Sequence, residues 1–307
     1  MSKSWFIIAN PIAGNGKFSK RWKEIQQVLN SKNLDYSFVF TQFSKHEIEL
    51  VQNAIQQGFR NIISVGGDGT LHNVVNGVMM QRYVNSSDIT IAVLPMGTGN
   101  DWIKTYNISK NIPKAIDSIL KRKTILQDIG KIETETGVVS YFNNVAGLGY
   151  DGYIAKKLQE VKKLGALSYL IAGFYGFLFY KKSAFKILIN HKITTPVCLM
   201  TIVSICKFSG GGMQFSEKVN PNDGLFDITV VKNLTLFDLI LNIRKLYNGK
   251  ITEHPKVATY QTNEITIIPQ NSNTYIQGDG ELIGIGSATF SIIEKGVRFV
   301  VASFYNF

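Results

Sequence analysis

The sequence predicts a two-part protein: an N-terminal parallel-sheet α/β domain over residues 1–127, then an antiparallel β-sandwich over 128–296. Three observations predict it. Short apolar strands alternate with amphipathic helical stretches through about the first 130 residues. Glycine-bearing loops follow the first, third and fourth of those strands. From about Gln127 onward strand signals dominate, many of them separated by Gly, Asn and Pro turns. The final strand, over about 297–307, is placed so that it can return to the first domain.

In order, residues 5–9 form an apolar strand stopped at Asn10-Pro11. Phe18, Trp22, Ile25 and Leu29 then recur at helical spacing. Residues 36–41 read as a second strand, and Ile48, Val51 and Ile55 mark a helix that Gly58 stops. A strand at 61–65, a helix at 71–79, a strand at 89–94 and a helix at 112–121 complete the first half. Strands separated by helices make a parallel sheet covered on both faces, whose binding sites lie at the carboxyl ends of the strands. In the second half, strands are expected at 138–143, 185–189, 197–205, 225–231, 264–268, 273–277, 288–293 and 297–303. Helical pieces at 153–180 and 236–247 interrupt them.

Composition narrows the classes. With 45% hydrophobic and 18% charged residues the chain is a folded globular protein, not a disordered one. Two cysteines, Cys198 and Cys206, make no disulfide framework and fit a reducing compartment. Asn10 and Pro11 interrupt the N-terminal apolar stretch too early for a signal peptide, so a cytoplasmic location is expected. A net charge of +11 favours anionic company. Zinc-ligand spacing, an RNA-recognition aromatic motif and an Arg-rich arm are all missing, so no nucleic acid partner is expected. The most apolar stretch, 167–180, is shorter than the roughly twenty residues that span a bilayer. Lys156, Lys157, Lys162, Lys163, Lys181 and Lys182 bracket it, so it reads as a buried helix or as one resting on an anionic membrane surface. Exposed strand edges make a homodimer a further expectation.

The sharpest local feature is Gly66-Gly67-Asp68-Gly69-Thr70-Leu71-His72-Asn73, where the third strand passes into a helix. Glycines there let the backbone turn tightly and bring N–H groups against a phosphate, with the helix dipole behind them. Asp68 would repel phosphate by itself, so it fits an indirect magnesium ligand or a positioning group; a plain capped turn is the alternative. Asn10-Pro11-Ile12-Ala13-Gly14 follows the first strand, and Pro95-Met96-Gly97-Thr98-Gly99-Asn100-Asp101 follows the fourth. Neither a Walker loop nor a dinucleotide fingerprint is present.

In this order and spacing, the motifs NPxxG, GGDGTLxxVxNG and PxGTGND resemble the catalytic domain of the diacylglycerol kinase family, which includes bacterial lipid kinases and sphingosine kinases and is more distantly related to NAD kinases. The resemblance implies an NAD kinase-like fold. It also implies ATP on Asn10, Pro11, Ile12, Ala13, Gly14, Thr41, Gly66, Gly67, Asp68, Gly69, Thr70, Leu71, His72, Asn73 and Thr98. It continues through Phe142–Asp151 as an FxNxxGxGxDA-type segment with Gly152 in place of Ala, and through Gly210-Gly211-Gly212 to Asp223-Gly224 and Asp227. There it implies a structural magnesium on Asp223 with the carbonyls of Asn220 and Leu225, against a plain Asn-Asp-Gly hairpin. Gly278-Asp279-Gly280-Glu281 is similar to the family's DGE motif, which implies Glu281 as general base, with Asp68 the other catalytic residue. Read without the family, it is a hairpin turn with two solvated acids. The implied activity is transfer of the γ-phosphoryl group from ATP to a lipid hydroxyl with Mg²⁺, diacylglycerol first and sphingosine-like amino alcohols second. An NAD kinase-like enzyme and a nucleotide-binding regulator stay open. The partners expected are a lipid substrate and the anionic inner face of a membrane.

Overall fold

The computed structural model of the chain describes residues 4–14, 16–97, 99–160, 176–216 and 219–302. The chain divides into two compact units, Met1–Gln127 with Lys295–Phe307, and Asp128–Glu294.

The first unit runs β1 (Trp5–Ala9), α1 (Phe18–Ser31), β2 (Tyr36–Phe40), α2 (His46–Gln56), β3 (Asn61–Gly66), α3 (Asp68–Met80), β4 (Thr90–Pro95), α4 (Trp102–Thr105) and α5 (Ile112–Lys121). The strands stand side by side in the order β2-β1-β3-β4, all parallel. The end of the last strand adds beside β4, with Arg298 opposite Thr90 and Phe299 opposite Ile91. β-branched runs such as Ile62-Ile63 suit strands buried on both faces. Trp5, Ile7, Ile63, Val65 and Leu94 share a core cluster with Phe18, Trp22, Ile25 and Leu29 of α1 and Ile116 and Ile119 of α5. On α3, Gly77 lies so close to α2 that an added Cβ would sit 2.9 Å from the Ile48 carbonyl oxygen. The Asn111 side chain caps α5 by accepting from the Lys114 N–H at 3.1 Å.

The second unit takes in most of β5 (Thr124–Thr134), then β6 (Val139–Phe142), β7 (Val145–Gly149), α6 (Tyr150–Glu160), β8 (Ser183–Ile189), β9 (Lys192–Thr194), β10 (Val197–Cys198), β11 (Met200–Ser204), β12 (Phe208–Ser209), β13 (Met213–Gln214) and β14 (Phe226–Val231). It continues through α7 (Leu236–Leu241), α8 (Ile243–Tyr247), β15 (Val257–Thr262), β16 (Glu264–Pro269), β17 (Tyr275–Gly278), β18 (Glu281–Ile285) and the first part of β19 (Ala288–Val300). One antiparallel sheet has the order β15-β14-β11-β7-β17-β18. Elsewhere β16 pairs antiparallel with β8 and with the start of β19. The class is the expected one, α/β followed by antiparallel β.

Several elements differ from the sequence expectation. The strand expected over 197–205 is two strands, because the chain leaves β8 at Leu199, whose N–H bonds the Val231 carbonyl at 2.8 Å, and joins β7 and β14 instead. The pair expected at 288–293 and 297–303 is one strand; Lys295, at φ 50°, kinks it without ending it. β5, β7, β9, β12, β13, β15 and β18 were absent from the expectation. The helix expected over 153–180 starts at Tyr150; its residues 161–175 lie outside the described residues, and residues 176–179 are helical. The piece at 236–247 is two short helices that meet at Asn242. Among the described residues no helix is long and apolar enough to cross a membrane.

Candidate active site

β1, β3 and β4 are neighbours and run parallel, so the three glycine-bearing loops leave the same end of adjacent strands. Hydrogen bonds lock them together. The Asn10 side-chain amide donates to Thr70 Oγ1 at 3.2 Å, and the Asn10 N–H donates to the Val65 carbonyl at 3.0 Å. The Gly66 carbonyl accepts from the N–H groups of Met96 (2.7 Å) and Gly97 (3.2 Å). Gly67 and Gly97 lie back to back: a Cβ on Gly97 would sit 2.7 Å from the Gly67 Cα. Gly14, at φ 84°, reverses the first loop where any Cβ would stand 3.0 Å from the Met96 carbonyl oxygen.

Asp68 does the fastening. Its Oδ2 accepts from the Asp101 N–H at 2.9 Å and its Oδ1 from the Trp102 N–H at 3.5 Å, so it caps the short helix α4 and ties the third loop to the second. Asp101 is paired in turn with Lys104 at 2.7 Å. The same corner is steadied by Gln127, whose Oε1 accepts from Trp102 Nε1 (3.0 Å) and the Tyr106 hydroxyl (2.6 Å). Asp68 is thus a positioning group for the third loop, holding the N–H groups of Asp101 and Trp102.

The resemblance assigned the whole run 66–73 to nucleotide, but its residues differ in what they can offer. Gly67 precedes α3, and helix geometry leaves the first-turn N–H groups of Gly69 and Thr70 without intrahelical acceptors. That makes a ready anion seat. Leu71 and His72 are buried, with His72 against Asn76, and the Asn73 side chain donates to Glu47 at 3.1 Å. What this run offers a phosphate therefore comes from backbone. Pro11 and Ile12 lie exposed at the tip of the first loop, beside Ala13. Thr41 is buried at the end of β2, its N–H bonded to the Ala9 carbonyl at 3.0 Å. Thr98 lies outside the described residues.

In the second unit, Asp279 and Gly280 form the two-residue turn between β17 and β18 with φ of 53° and 84°, a hairpin turn of the primed kind. Asp279 is not the solvated acid that the bare sequence suggests. Its Oδ2 accepts from Asn143 N–H (3.1 Å), and its Oδ1 from Asn144 N–H (2.9 Å) and Val145 N–H (3.3 Å). The turn is thereby clamped to the connection between β6 and β7. Gln277 Oε1 accepts from the Gly280 N–H at 2.8 Å, and its amide donates to Asp151 Oδ2 at 2.9 Å. Glu281 follows as the first residue of β18, partly buried. Among the described residues its carboxylate has no hydrogen-bond partner.

Asp279 and Gln277 were missed because they sit in a plain turn motif; the Asn143–Val145 N–H groups that Asp279 holds and the Asp151 carboxylate that Gln277 meets are more than a hundred residues away in sequence. Asp151 was named only as part of a motif. Gly147 leaves the space the Asp151 carboxylate occupies, and among the described residues Asp151 Oδ1 is buried without a side-chain partner. Burial pushes the Asp151 carboxyl from 3.8 up to about 6, against the bond from Gln277. The folded chain therefore holds this proton more tightly than the unfolded one, and stability from this group is full below about pH 4 and lost as the pH rises to about 6. Asp151→Asn should relieve about 3 kcal/mol at pH 7 and little at pH 4, read by chemical denaturation at the two pH values.

The turn at 220–225 is not a hairpin: β14 pairs with β11 and β15. Gly224, at φ 76°, donates its N–H to the buried Asp128 Oδ2 at 2.7 Å, and the Asp128 N–H returns to the Pro221 carbonyl at 2.8 Å. Among the described residues the exposed Asp223 accepts the Leu225 N–H, at 3.1 Å. Burial, with Asp223's charge beside it, pushes Asp227 up to about 6. Among the described residues no group of three His, Cys, Asp or Glu side chains could hold a metal. A cation here would depend on backbone carbonyls and water, a donor set that suits a hard ion; the Asp223 carboxylate with the Asn220 and Leu225 carbonyls fits that description.

Comparison with known proteins now bears on this geometry. Residues 4–132 match the model of the diacylglycerol kinase catalytic domain, and residues 144–301 match that of the YegS C-terminal NAD kinase beta sandwich-like domain. The chain belongs to the diacylglycerol kinase family of lipid kinases. YtlR of Bacillus subtilis (strain 168), whose name specifies a lipid kinase without naming the lipid, is 27% identical over 298 residues, covering 91% of this chain and 94% of that protein. A diacylglycerol kinase of Staphylococcus epidermidis (strain ATCC 12228 / FDA PCI 1200) is 26% identical over 302 residues, covering 97% of this chain and 92% of the relative. A solved diacylglycerol kinase structure from Bacillus anthracis str. Sterne shares the fold with a TM-score of 0.72 at 20% identity, over 98% of this chain and 97% of that one. This lipid kinase, as a kinase, takes ATP as its phosphoryl donor.

Proposed function

We propose that the chain phosphorylates diacylglycerol, moving the γ-phosphoryl group of ATP to the lipid's free hydroxyl to give phosphatidic acid. Glu281 carries the reading: a partly buried carboxylate without a partner among the described residues, on a turn clamped at Asp279, is what a weakly nucleophilic hydroxyl needs. The names of the relatives supply the lipid.

Phosphoryl transfer is mainly positioning and charge stabilisation. The ATP phosphates lie over Gly66 and Gly67, on the first-turn N–H groups of Gly69 and Thr70, and are bracketed by Asn10–Gly14 and the loop containing Thr98. Asp68 holds that loop in place. Gly97→Ala would force the Gly67 and Gly97 backbones apart, and ATP affinity measured by calorimetry should fall about tenfold, the loss of roughly one hydrogen bond's worth of fit. Magnesium, when bound with ATP, neutralises phosphate charge. The Asp223 carboxylate with the Asn220 and Leu225 carbonyls would hold a second, structural Mg²⁺, whose charge would steady the turn that also engages Asp128. Glu281 takes the hydroxyl proton as the new O–P bond forms, and ADP leaves.

The location that fits this substrate is the cytoplasm, with peripheral attachment to the inner face of the membrane. The test is a panel of acceptors in mixed micelles with Mg²⁺ and γ-labelled ATP: diacylglycerol, a sphingosine-like amino alcohol and free NAD. Label in the amino alcohol or in NADP, and none in phosphatidic acid, would replace the substrate.

A further inference from the structure

α7 is apolar on every side but one. Its sequence is Leu-Phe-Asp-Leu-Ile-Leu, opened by a capping box in which Thr235 and Asp238 serve each other's backbone N–H groups. Leu236 and Leu239 pack against the core cluster that includes Tyr150, Phe177, Leu234 and Leu246. That leaves Phe237 at 69%, Ile240 at 50% and Leu241 at 66% exposure. A helix that is hydrophobic around most of its circumference is ordinarily buried, and clustered exposed apolar groups mark an interaction surface.

A second exposed pair flanks the same cluster. Phe177 and Tyr180 pack into it, while Leu178 and Phe179 between them are 64% and 61% exposed. Lys182 pins this segment next to α7: its ammonium donates to the Asn233 side chain at 2.9 Å and to the Leu234 carbonyl. Lys256 also comes to this place, paired with Asp238 on α7. Burial and the Lys256 charge hold Lys182 below the ordinary lysine range. Lys181 and Arg244 are exposed on either side in sequence.

We infer that Leu178, Phe179, Phe237, Ile240 and Leu241 form a membrane-docking face that enters the headgroup region of a bilayer, with Lys181, Lys182, Arg244 and Lys256 meeting anionic lipid phosphates. The combination decides the occupant. Bulky apolar side chains standing out of a cationic surface suit an interfacial layer that is apolar inside and negative at its rim. A second copy of this chain would set these same cations against one another. The inference rests on the reading that the substrate is a membrane lipid, and it says where the protein meets that membrane.

The test is co-sedimentation without ATP, using vesicles of phosphatidylcholine alone and of phosphatidylcholine with phosphatidylglycerol. The chain should bind the anionic vesicles far more tightly. The triple variant Phe237→Ser, Ile240→Ser, Leu241→Ser should lose about 100-fold in binding, from the apolar surface withheld from the bilayer. Its rate on a short-chain diacylglycerol dispersed in water should stay within about twofold of the parent. Phe237→Trp gives an independent readout: its emission should shift to the blue on anionic vesicles. Unshifted emission, unchanged binding by the triple variant, or equal binding to both vesicle types would overturn the inference. So would a dimer, seen by light scattering, that the triple variant abolishes. Vesicle binding without phosphatidic acid production would keep this surface and discard diacylglycerol as the substrate.

Discussion

Glu281→Gln should lower kcat for lipid phosphorylation by about 10²–10⁴-fold, the usual worth of a general base, and leave ATP affinity unchanged. Glutamine keeps the size and the strand pairing of Glu281 with Gly278 but cannot accept a proton. The carboxylate has no partner among the described residues, so its replacement leaves no buried donor unsatisfied, and the melting temperature should stay close to that of the parent. Steady-state kinetics with calorimetric ATP titration separates the two quantities. A variant that keeps its turnover removes Glu281 from the chemistry; one that also loses ATP binding shows that the change reached further than proton transfer.

Asp279→Ala should cost about 4 kcal/mol of stability, because three N–H groups in a buried stretch lose their acceptor together. Alanine would also have to hold a φ of 53°, which an Asp or Asn tolerates better. Asp279→Asn retains one side-chain oxygen and the tolerance for that backbone, so it should lose about half as much. Chemical denaturation of the two variants measures both. The same variants should lose turnover out of proportion to any change in ATP affinity, since the turn they loosen carries Glu281.

The first unit was legible because its signals are local. Phe18, Trp22, Ile25 and Leu29 recur at helical spacing and do form the buried face of α1. The glycine loops announce themselves by following apolar strands, and neighbouring parallel strands then bring them to one edge. What the residues in those loops do was less legible. Nothing in Gly-Gly-Asp-Gly-Thr says that the Asp68 carboxylate turns to N–H groups 33 and 34 positions later.

The second unit hid more, for the same reason. β7, Val-Ala-Gly-Leu-Gly, was not among the expected strands, yet every residue in it is buried. Its glycines are required by what presses on them: Gly147 makes room for Asp151, and a Cβ on Gly149 would stand 2.7 Å from the Leu199 carbonyl oxygen. Glycine there marks close approach inside a sheet, which only the folded arrangement reveals. Likewise the kink at Lys295 imitates a turn while the ladder continues on either side. The FxNxxGxGxDA-type segment was legible only as a resemblance; its physical content is the clamp from Asp279 and the Gln277 link to Asp151.

The most direct measurement is a single reaction: purified protein, Mg²⁺, γ-labelled ATP and 1,2-diacylglycerol in mixed micelles, with the lipid products separated by chromatography. Label in phosphatidic acid, rising in proportion to enzyme and missing with Glu281→Gln, is the expected result. Unlabelled phosphatidic acid at saturating diacylglycerol, with label recovered in another lipid or only in free phosphate, would contradict it.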